Sequence, residues 1–241
     1  MNNEHIVSSF DEDLNNITSL ILEMGGLVEV QISDARTALL ARDPKLAEQV
    51  VIKDSGVDKL ETAIDNAAVG LIAKRQPLAK DLRTVVVAPK IAHNLERMGD
   101  LAKNIAKRTL VLTRSQPITA PNNTIGRMCD MVQQMTNEVL GAYVKRDTVV
   151  AEQVRLRDEE VDYMHNALFR ELLTYIMEDP RSITPCMHLL FIAKNIERIG
   201  DHTTNIADQI HYLVRGEVPE QERPKRDDTS SAIIETEIKP H

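Results

Sequence analysis

Apolar residues recur at three- and four-residue steps along most of the chain, which is the periodicity of an amphipathic α-helix. The first such stretch covers about residues 5–40, and its apolar positions are Phe10, Leu14, Ile17, Ile21, Met24, Val28, Ile32, Ala35 and Leu39. Glycine and proline are sparse and fall mostly where a helix would begin or end, whereas a β-rich chain would need turn residues far more often. The pattern predicts an all-helical protein with almost no strand.

Capping residues locate the ends of these helices. Asp43, followed by Pro44, and Asp147 are suited to the N-cap position, and Gly216 is suited to the left-handed conformation that ends a helix. Pro89 lies inside one periodic stretch, early enough to kink that helix without ending it. Together the pattern and the caps predict six helices, at about residues 5–40, 44–75, 81–114, 124–145, 147–177 and 183–214.

Residues 115–123 form the only interior stretch that resembles a linker, because they contain Pro117, Pro121 and two asparagines. They separate three predicted helices from another three. We therefore expect a first domain at residues 1–114, a second at 124–216, and a tail at 217–241. The tail is charged, punctuated by proline and poor in apolar residues, so it is predicted to be disordered.

The third and sixth helices repeat one another. Residues 91–106 align with residues 192–207 at a constant offset of 101 positions (192 − 91), and ten of the paired residues are identical: Ile, Ala, Asn, Glu, Arg, Gly, Asp, Asn, Ile and Ala. Upstream, Asp54-x-x-x-Asp58-x-x-Glu61 corresponds to Asp158-x-x-x-Asp162-x-x-His165. The fold class predicted is therefore two tandem three-helix bundles, related by internal duplication and pseudo-twofold symmetry.

Charge and cysteine content narrow the functional classes. The net charge of −8 argues against a protein that coats nucleic acid or anionic membrane. Cys129 and Cys186 lie far apart in apolar surroundings, which is typical of buried free thiols. No signal peptide and no apolar run of membrane-spanning length is recognisable, so we expect a cytoplasmic protein without direct membrane insertion.

The duplicated acidic motifs are the candidate functional site. On a helix, residues four apart share a face, so Glu96 and Asp100 repel each other, as do Glu197 and Asp201, unless a cation or an arginine lies between them. Clusters of oxygen ligands suit Mg²⁺, Ca²⁺ or Mn²⁺, and iron tolerates carboxylates well. A solvated helix face is the alternative, but the duplication favours metal binding. The candidate ligands, which we expect on the surface, are Asp54, Asp58, Glu61, Glu96, Asp100, Asp158, Asp162, Glu197 and Asp201.

Other residues of the motif receive simpler interpretations. Gly99 and Gly200 each cost about 1 kcal/mol relative to alanine inside a helix, so we expect a neighbouring helix or a bound group to approach them closely. Arg97 and Arg198 are expected to pair with the adjacent acids. No functional role is assigned to the histidines, since they show no repeated ligand spacing: His93, His165, His202 and His211.

The two repeated segments resemble the signature segments of the PhoU family. They read Asn-Leu-Glu-Arg-Met-Gly-Asp and Asn-Ile-Glu-Arg-Ile-Gly-Asp-His, and Asn-Ile-Ala follows each of them. Met24-Gly25-Gly26-Leu27-Val28-Glu29 and the stretch from Leu173 to Pro180 also follow the family pattern, so that the resemblance covers almost the whole chain. One departure is that His165 replaces an acid at the position of Glu61, so the second site is expected to bind differently.

The resemblance implies a non-enzymatic negative regulator of phosphate uptake and of the phosphate-starvation response. Family members are thought to link the ATPase subunit of the phosphate ABC transporter to a sensor histidine kinase, and dimers are common among them. Some bind iron, zinc, manganese or magnesium at their acidic motifs. By position, this assigns one metal cluster to Asp54, Asp58, Glu61, Glu96 and Asp100, and the other to Asp158, Asp162, Glu197 and Asp201.

Two other functional classes remain open from the sequence. The first is a carboxylate-bridged metalloenzyme on a helical bundle. Such bundles usually place histidine three residues after a bridging glutamate, where this chain has Gly99 and Gly200, and no phosphate-binding loop, serine elbow or Cys–His constellation is present. The second is a purely structural bundle that binds no ligand.

Overall fold

The computed structural model describes residues 2–118 and 121–219, and within these residues the regular structure is helical, with no strand. The α-helices are α1 (Asn2–Ala41), α2 (Pro44–Lys53), α3 (Ser55–Arg75), α4 (Ala79–Leu112), α5 (Asn122–Lys145), α6 (Thr148–Glu178) and α7 (Ile183–Arg215), and a short 3-10 helix (Pro180–Ser182) precedes α7. Only Asp54 separates α2 from α3, and its backbone angles, φ −54° and ψ −36°, are themselves helical. The predicted second helix is therefore one nearly continuous stretch with a single interruption.

The capping residues act as the sequence predicts. The Asp43 carboxylate accepts hydrogen bonds from the backbone N–H groups of Lys45 and Leu46, and Asp147 caps α6 in the same way. Gly216 ends α7 with φ 86°, and Pro89 lies inside α4 without ending it. Predicted and observed ends differ by three residues at most, which is within the usual uncertainty of helix ends predicted from a sequence.

Each half is a bundle, and the two bundles pack against each other. Helices α1 to α4 contact one another in the first half, as do α5, α6 and α7 in the second, while α4 packs along α7 and α1 along α5. The buried aliphatic side chains of both halves form one continuous core. The predicted all-helical fold of two tandem three-helix bundles is confirmed. The exact domain limits remain a prediction, and most of the predicted disordered tail, residues 220–241, lies outside the described residues.

The contacts between α1 and α5 follow the pseudo-twofold symmetry. A Cβ atom on Gly25 would collide with the Leu140 side chain, and a Cβ on Gly126 would lie 3.4 Å from Leu40 Cδ1. Gly25 and Gly126 are related by the same offset of 101 positions (126 − 25) as the acidic motifs. The duplication therefore includes the first helix of each half, where small residues allow the two helices to approach closely.

Two further expectations concern the cysteines and membrane-spanning helices. Cys129 and Cys186 are buried free thiols, as predicted. Among the helices of the described residues, none is both long enough and apolar enough to cross a bilayer.

Candidate functional site

The acidic residues of the first half lie where α3 and α4 pack together. Asp54, at the junction of α2 and α3, is only 4% exposed, because α1 and α4 cover it. Its carboxylate receives a hydrogen bond of 3.3 Å from Gln31 Nε2 of α1. Lys103 Nζ lies 2.5 Å from Asp54 Oδ2 and also pairs with Asp100. An ammonium group therefore already neutralises two of the five candidate ligands in this half.

The electrostatics of Lys103 follow from this position. Burial alone would lower the pKa of Lys103, but its hydrogen bonds to Asp100 and Asp54 raise that pKa well above the ordinary value. The lysine therefore stays charged. No role was expected for Lys103, although its position three residues after Asp100 places the two side chains on one helix face.

Two of the three remaining candidate carboxylates of the first half lie beside a histidine. Glu61 of α3 and His93 and Glu96 of α4 each offer one ligand atom, and these three atoms all lie within 4.8 Å of one another. His93 Nδ1 is 3.2 Å from Glu61 Oε1. No function was expected for His93. Within residues 2–118 and 121–219, this is the only group of three or more His, Cys, Asp or Glu side chains close enough together to hold a metal ion.

The charged form of Glu96 is destabilised by its surroundings. Burial raises its pKa, and the negative charges of Asp100, Glu61 and Asp58 add to this effect, while Arg97 opposes it. Arg97 Nε lies 3.1 Å from Glu96 Oε2, and its Nη1 lies 3.6 Å from Asp100 Oδ2. The expected pairing of Arg97 with both acids is therefore confirmed.

The second half buries its acids more deeply. Asp158, Asp162 and Glu197 are 1%, 2% and 4% exposed, whereas Asp201 is half-buried. The expectation of surface acids is wrong for these three residues and for Asp54. They are buried because α4 packs directly over α2 and α3 in the first half, and α7 packs directly over α6 in the second. Burial, together with the charge of Asp201, raises the pKa of Glu197 to about 7, although Lys194, at 3.0 Å, opposes the shift.

The two motif glycines make room for these acids. A Cβ on Gly200 would lie 2.5 Å from Asp158 Oδ1, and a Cβ on Gly99 would lie 2.9 Å from Gln31 Oε1 and 3.4 Å from Asp54 Oδ1. Both distances to the nearest atom are shorter than a real side chain tolerates. The expectation of close approach is confirmed, and the approaching groups are side chains of the neighbouring helices.

A polar contact between α4 and α7 connects the two halves next to their acidic motifs. His202 Nδ1 lies 2.9 Å from Asn94 Oδ1, and Asn205 Nδ2 donates to the same oxygen at 3.3 Å. Burial and the nearby Arg198 lower the pKa of His202 to about 4, so its ring is neutral at pH 7. Asn94 lies two positions before Glu96, and His202 directly follows Asp201, so this contact lies next to both acidic motifs along the chain.

The arrangement suits cation binding better than covalent chemistry. Carboxylates that burial and like charges destabilise gain from a bound cation, and the donor set of carboxylates plus one imidazole matches divalent metal ions. Cys129 is a poor nucleophile, because burial raises its pKa to about 12. Asp58 is exposed, and it affects Glu96 only through its charge.

Comparison with known proteins identifies the repeated unit. The family model described as the PhoU domain matches twice, at residues 21–109 and at residues 125–210. These two matches confirm the duplication predicted from the motif offset.

One close relative is the "Phosphate-specific transport system accessory protein PhoU homolog" of Caulobacter vibrioides (strain NA1000 / CB15N). It is 50% identical over 224 residues, which cover 93% of this chain and 97% of the relative. The relative therefore corresponds to this chain over nearly its whole length.

Two solved structures share the fold. The crystal structure of PhoU from Pseudomonas aeruginosa matches with a TM-score of 0.83 and 39% identity, over 86% of this chain and 99% of that one. The phosphate transport system regulatory protein PhoU from Streptococcus pneumoniae matches with a TM-score of 0.82 and 30% identity, over 88% and 100% of the two chains. These relatives confirm the interpretation as a regulator and do not support the metalloenzyme alternative.

Proposed function

This chain belongs to the PhoU family, and from that membership we propose that it is a non-enzymatic negative regulator of phosphate uptake and of the phosphate-starvation response. The observation that carries the proposal is the match to a phosphate-specific transport system accessory protein over nearly the full length of both chains. Each half carries the acidic motif in the same structural position. In the first half it lies along α3, from the α2–α3 junction, and on α4, and in the second half it lies on α6 and α7.

The proposed partners are the ATPase subunit of a phosphate ABC transporter and a sensor histidine kinase. An accessory protein that reports transport activity to gene expression must contact one component of each system. We place this protein in the cytoplasm, where both of those components expose domains, and we expect a homodimer. The net charge of −8 favours protein partners over nucleic acid.

Metal binding by the acidic rows is the second part of the proposal. The first row comprises Asp54, Asp58, Glu61, Glu96 and Asp100, and the second comprises Asp158, Asp162, Glu197 and Asp201. The support comes from electrostatics. Burial and neighbouring negative charges raise the pKa values of Glu96 and Glu197, so the charged forms of both carboxylates are destabilised. A divalent or trivalent metal ion, of magnesium, manganese, iron or zinc, would offset this repulsion and hold the second and third helices of a half together.

Deletion of the gene tests the regulatory role. We expect a reporter of the phosphate-starvation response to be active at high phosphate in the deleted strain, and repressed again when the full chain is restored. The matched control is a strain that lacks both this protein and the sensor kinase, in which the reporter should stay silent. Normal repression in the strain that lacks only this protein would contradict the proposal.

A further inference from the structure

The outer face of α6 carries apolar side chains that the described part of the chain leaves exposed. Val149, Leu156 and Tyr163 are 66%, 53% and 64% exposed, and their seven-residue spacing places them on one side of the helix. We propose that this face is the docking site of the chain's own C-terminal segment, residues 232–239, and that the isoleucines of this segment enter a groove between α5 and α6.

The groove between α5 and α6 has largely apolar walls. It is a cavity of about 560 Å³, lined by Met131 of α5 and by Tyr163, Met164 and Ala167 of α6, among others. Tyr163 and Ala167 are exposed although they lie at the edge of the hydrophobic core. A concave apolar surface of this kind is suited to binding an apolar segment of a polypeptide.

The described chain ends on the same face of α6, nearer its N-terminus. Residues 217–219 line a second cavity, of about 600 Å³, together with Val149, Gln153 and Leu156. The α6 residues of the two cavities follow one another along the helix at three- and four-residue steps, so that they share one side of it. Residues 220–241 therefore begin beside the face that leads to the groove.

Apolar residues in this C-terminal segment are concentrated near its end. Residues 220–231 contain no apolar side chain except that of Pro224, whereas residues 232–238 contain one alanine and three isoleucines. Isoleucine side chains gain free energy when they leave water, and the apolar walls of the groove offer them that burial. The sequence thus consists of a polar spacer followed by an apolar anchor.

The length of the spacer matches the distance to the groove. Helix α6 rises about 21 Å between Val149 and Tyr163, at about 1.5 Å per residue. A flexible chain of about 12 residues has a root-mean-square end-to-end distance of roughly 20 Å. The effective concentration of a tethered segment is highest when these two lengths agree, so even weak contacts suffice for docking.

The charges of the groove and of the segment are complementary. Glu159 and Glu160 place negative charge on the α6 side of the groove, and Arg127 places positive charge on the α5 side. The segment carries both opposite signs next to its isoleucines: Glu235, Glu237 and Lys239. A second copy of the chain or a foreign protein would have to displace this tethered segment, which favours the segment as the occupant.

Paramagnetic relaxation in the full chain tests the proposal. A nitroxide attached to Ser231→Cys lies next to the proposed anchor, and the native Cys129 and Cys186 are buried. We expect this label to broaden the methyl resonances of Met131 and Met164, which line the groove.

Substitutions in the segment show whether its isoleucines are the anchor. Replacing all three with serine, as Ile233→Ser, Ile234→Ser and Ile238→Ser, should lower the docking equilibrium constant at least about a hundredfold and remove most of the broadening. The matched control is the pair Thr229→Ala and Ser230→Ala, which changes the spacer and keeps the isoleucines, and it should keep the broadening.

A substitution in the groove tests the other side of the contact. Tyr163→Ser should reduce the broadening at Met131 severalfold, because it removes an apolar wall. Val69→Ser on α3 is the matched control, since Val69 is 67% exposed and lies on another helix, and it should leave the broadening unchanged. Both side chains are largely exposed, so both variants should keep the wild-type melting temperature.

The inference is overturned if Met131 and Met164 are not broadened, or if the three serine substitutions leave the broadening as it was. A mixture of spin-labelled chains with methyl-labelled chains that lack the nitroxide identifies the occupant. Broadening in that mixture would place the segment on a second copy and would also overturn the inference. None of these results depends on the regulatory role or on metal binding, so a failure here is distinct from a failure of the proposed function.

Discussion

Replacing Gly200 with alanine tests whether the motif glycines are spacers between helices. Alanine is about 1 kcal/mol better than glycine in a helix interior. At Gly141 of α5 a Cβ would meet no atom within 4 Å, so Gly141→Ala should stabilise the protein by about that amount. At Gly200 the same atom would lie 2.5 Å from Asp158 Oδ1. Asp158 is 1% exposed and cannot turn into solvent to relieve the contact.

The magnitude follows from the balance of two effects. Overpacking of a well-packed core costs about 1–3 kcal/mol, and the helix propensity returns about 1 kcal/mol. Gly200→Ala should therefore be neutral to destabilising by about 2 kcal/mol, which places it about 1–3 kcal/mol below Gly141→Ala. For a chain of this size each kcal/mol shifts the melting temperature by roughly 2–4 °C.

The assay is thermal unfolding of both variants, followed by circular dichroism at 222 nm with a chelator present. A double-mutant cycle localises the effect, since on an Asp158→Ala background Gly200→Ala should regain its stabilising sign. If Gly200→Ala stabilises the protein as much as Gly141→Ala does, the close packing between α6 and α7 at this point is refuted.

Two further predictions concern titratable groups. Because the folded protein raises the pKa of Glu197 from 4.5 to about 7, the wild type should lose stability as the pH rises through this range. Glu197→Gln should therefore stabilise the metal-free protein by up to about 3 kcal/mol at pH 8 and by little near pH 4 in urea unfolding; an equal effect at both pH values would contradict the shift. Burial raises the pKa of Cys129 to about 12, so this thiol should react with a disulfide reagent at pH 8 only after unfolding. Rapid reaction in the native state, compared with Cys129→Ala, would count against its burial.

The fold was largely predictable because helical periodicity, capping residues and an internal repeat all gave the same answer. Asp43, Asp147 and Gly216 act through local backbone geometry, which the neighbouring sequence determines. The interruption at Asp54 was not predictable from periodicity, because the apolar pattern continues through α2 and α3 without a break.

The candidate site was only partly predictable. The offset of the two motifs located the acids in the sequence. Their burial depends on how α4 packs over α3 and how α7 packs over α6, and the apolar pattern of a single helix carries no information about that packing. The importance of His93 depends on contact with Glu61, which lies 32 positions away in the chain. Only the fold brings these two side chains together, although the spacing of His93 and Glu96 three residues apart was a signal in the sequence.

Lys103 and Lys194 show a second limit of sequence reasoning. The repeat suggested two equivalent acidic clusters, because the glutamate and aspartate of the motif recur in register. Each half nevertheless uses a different lysine, at non-equivalent positions, to neutralise its acids. The duplication therefore predicted the scaffold of the site correctly, while the charges around it had to be read from the three-dimensional contacts.

The central claim is that this protein acts by docking to the components of a phosphate transport and signalling system. Equilibrium titration of the full chain against the purified transporter ATPase subunit and against the cytoplasmic part of the sensor kinase, each with and without Zn²⁺, tests it most directly. We predict saturable binding to both, with a Kd of roughly micromolar or below, and none to the ATPase subunit of an unrelated transporter. Absence of binding to either partner at about 100 µM, in both metal states, would contradict the account.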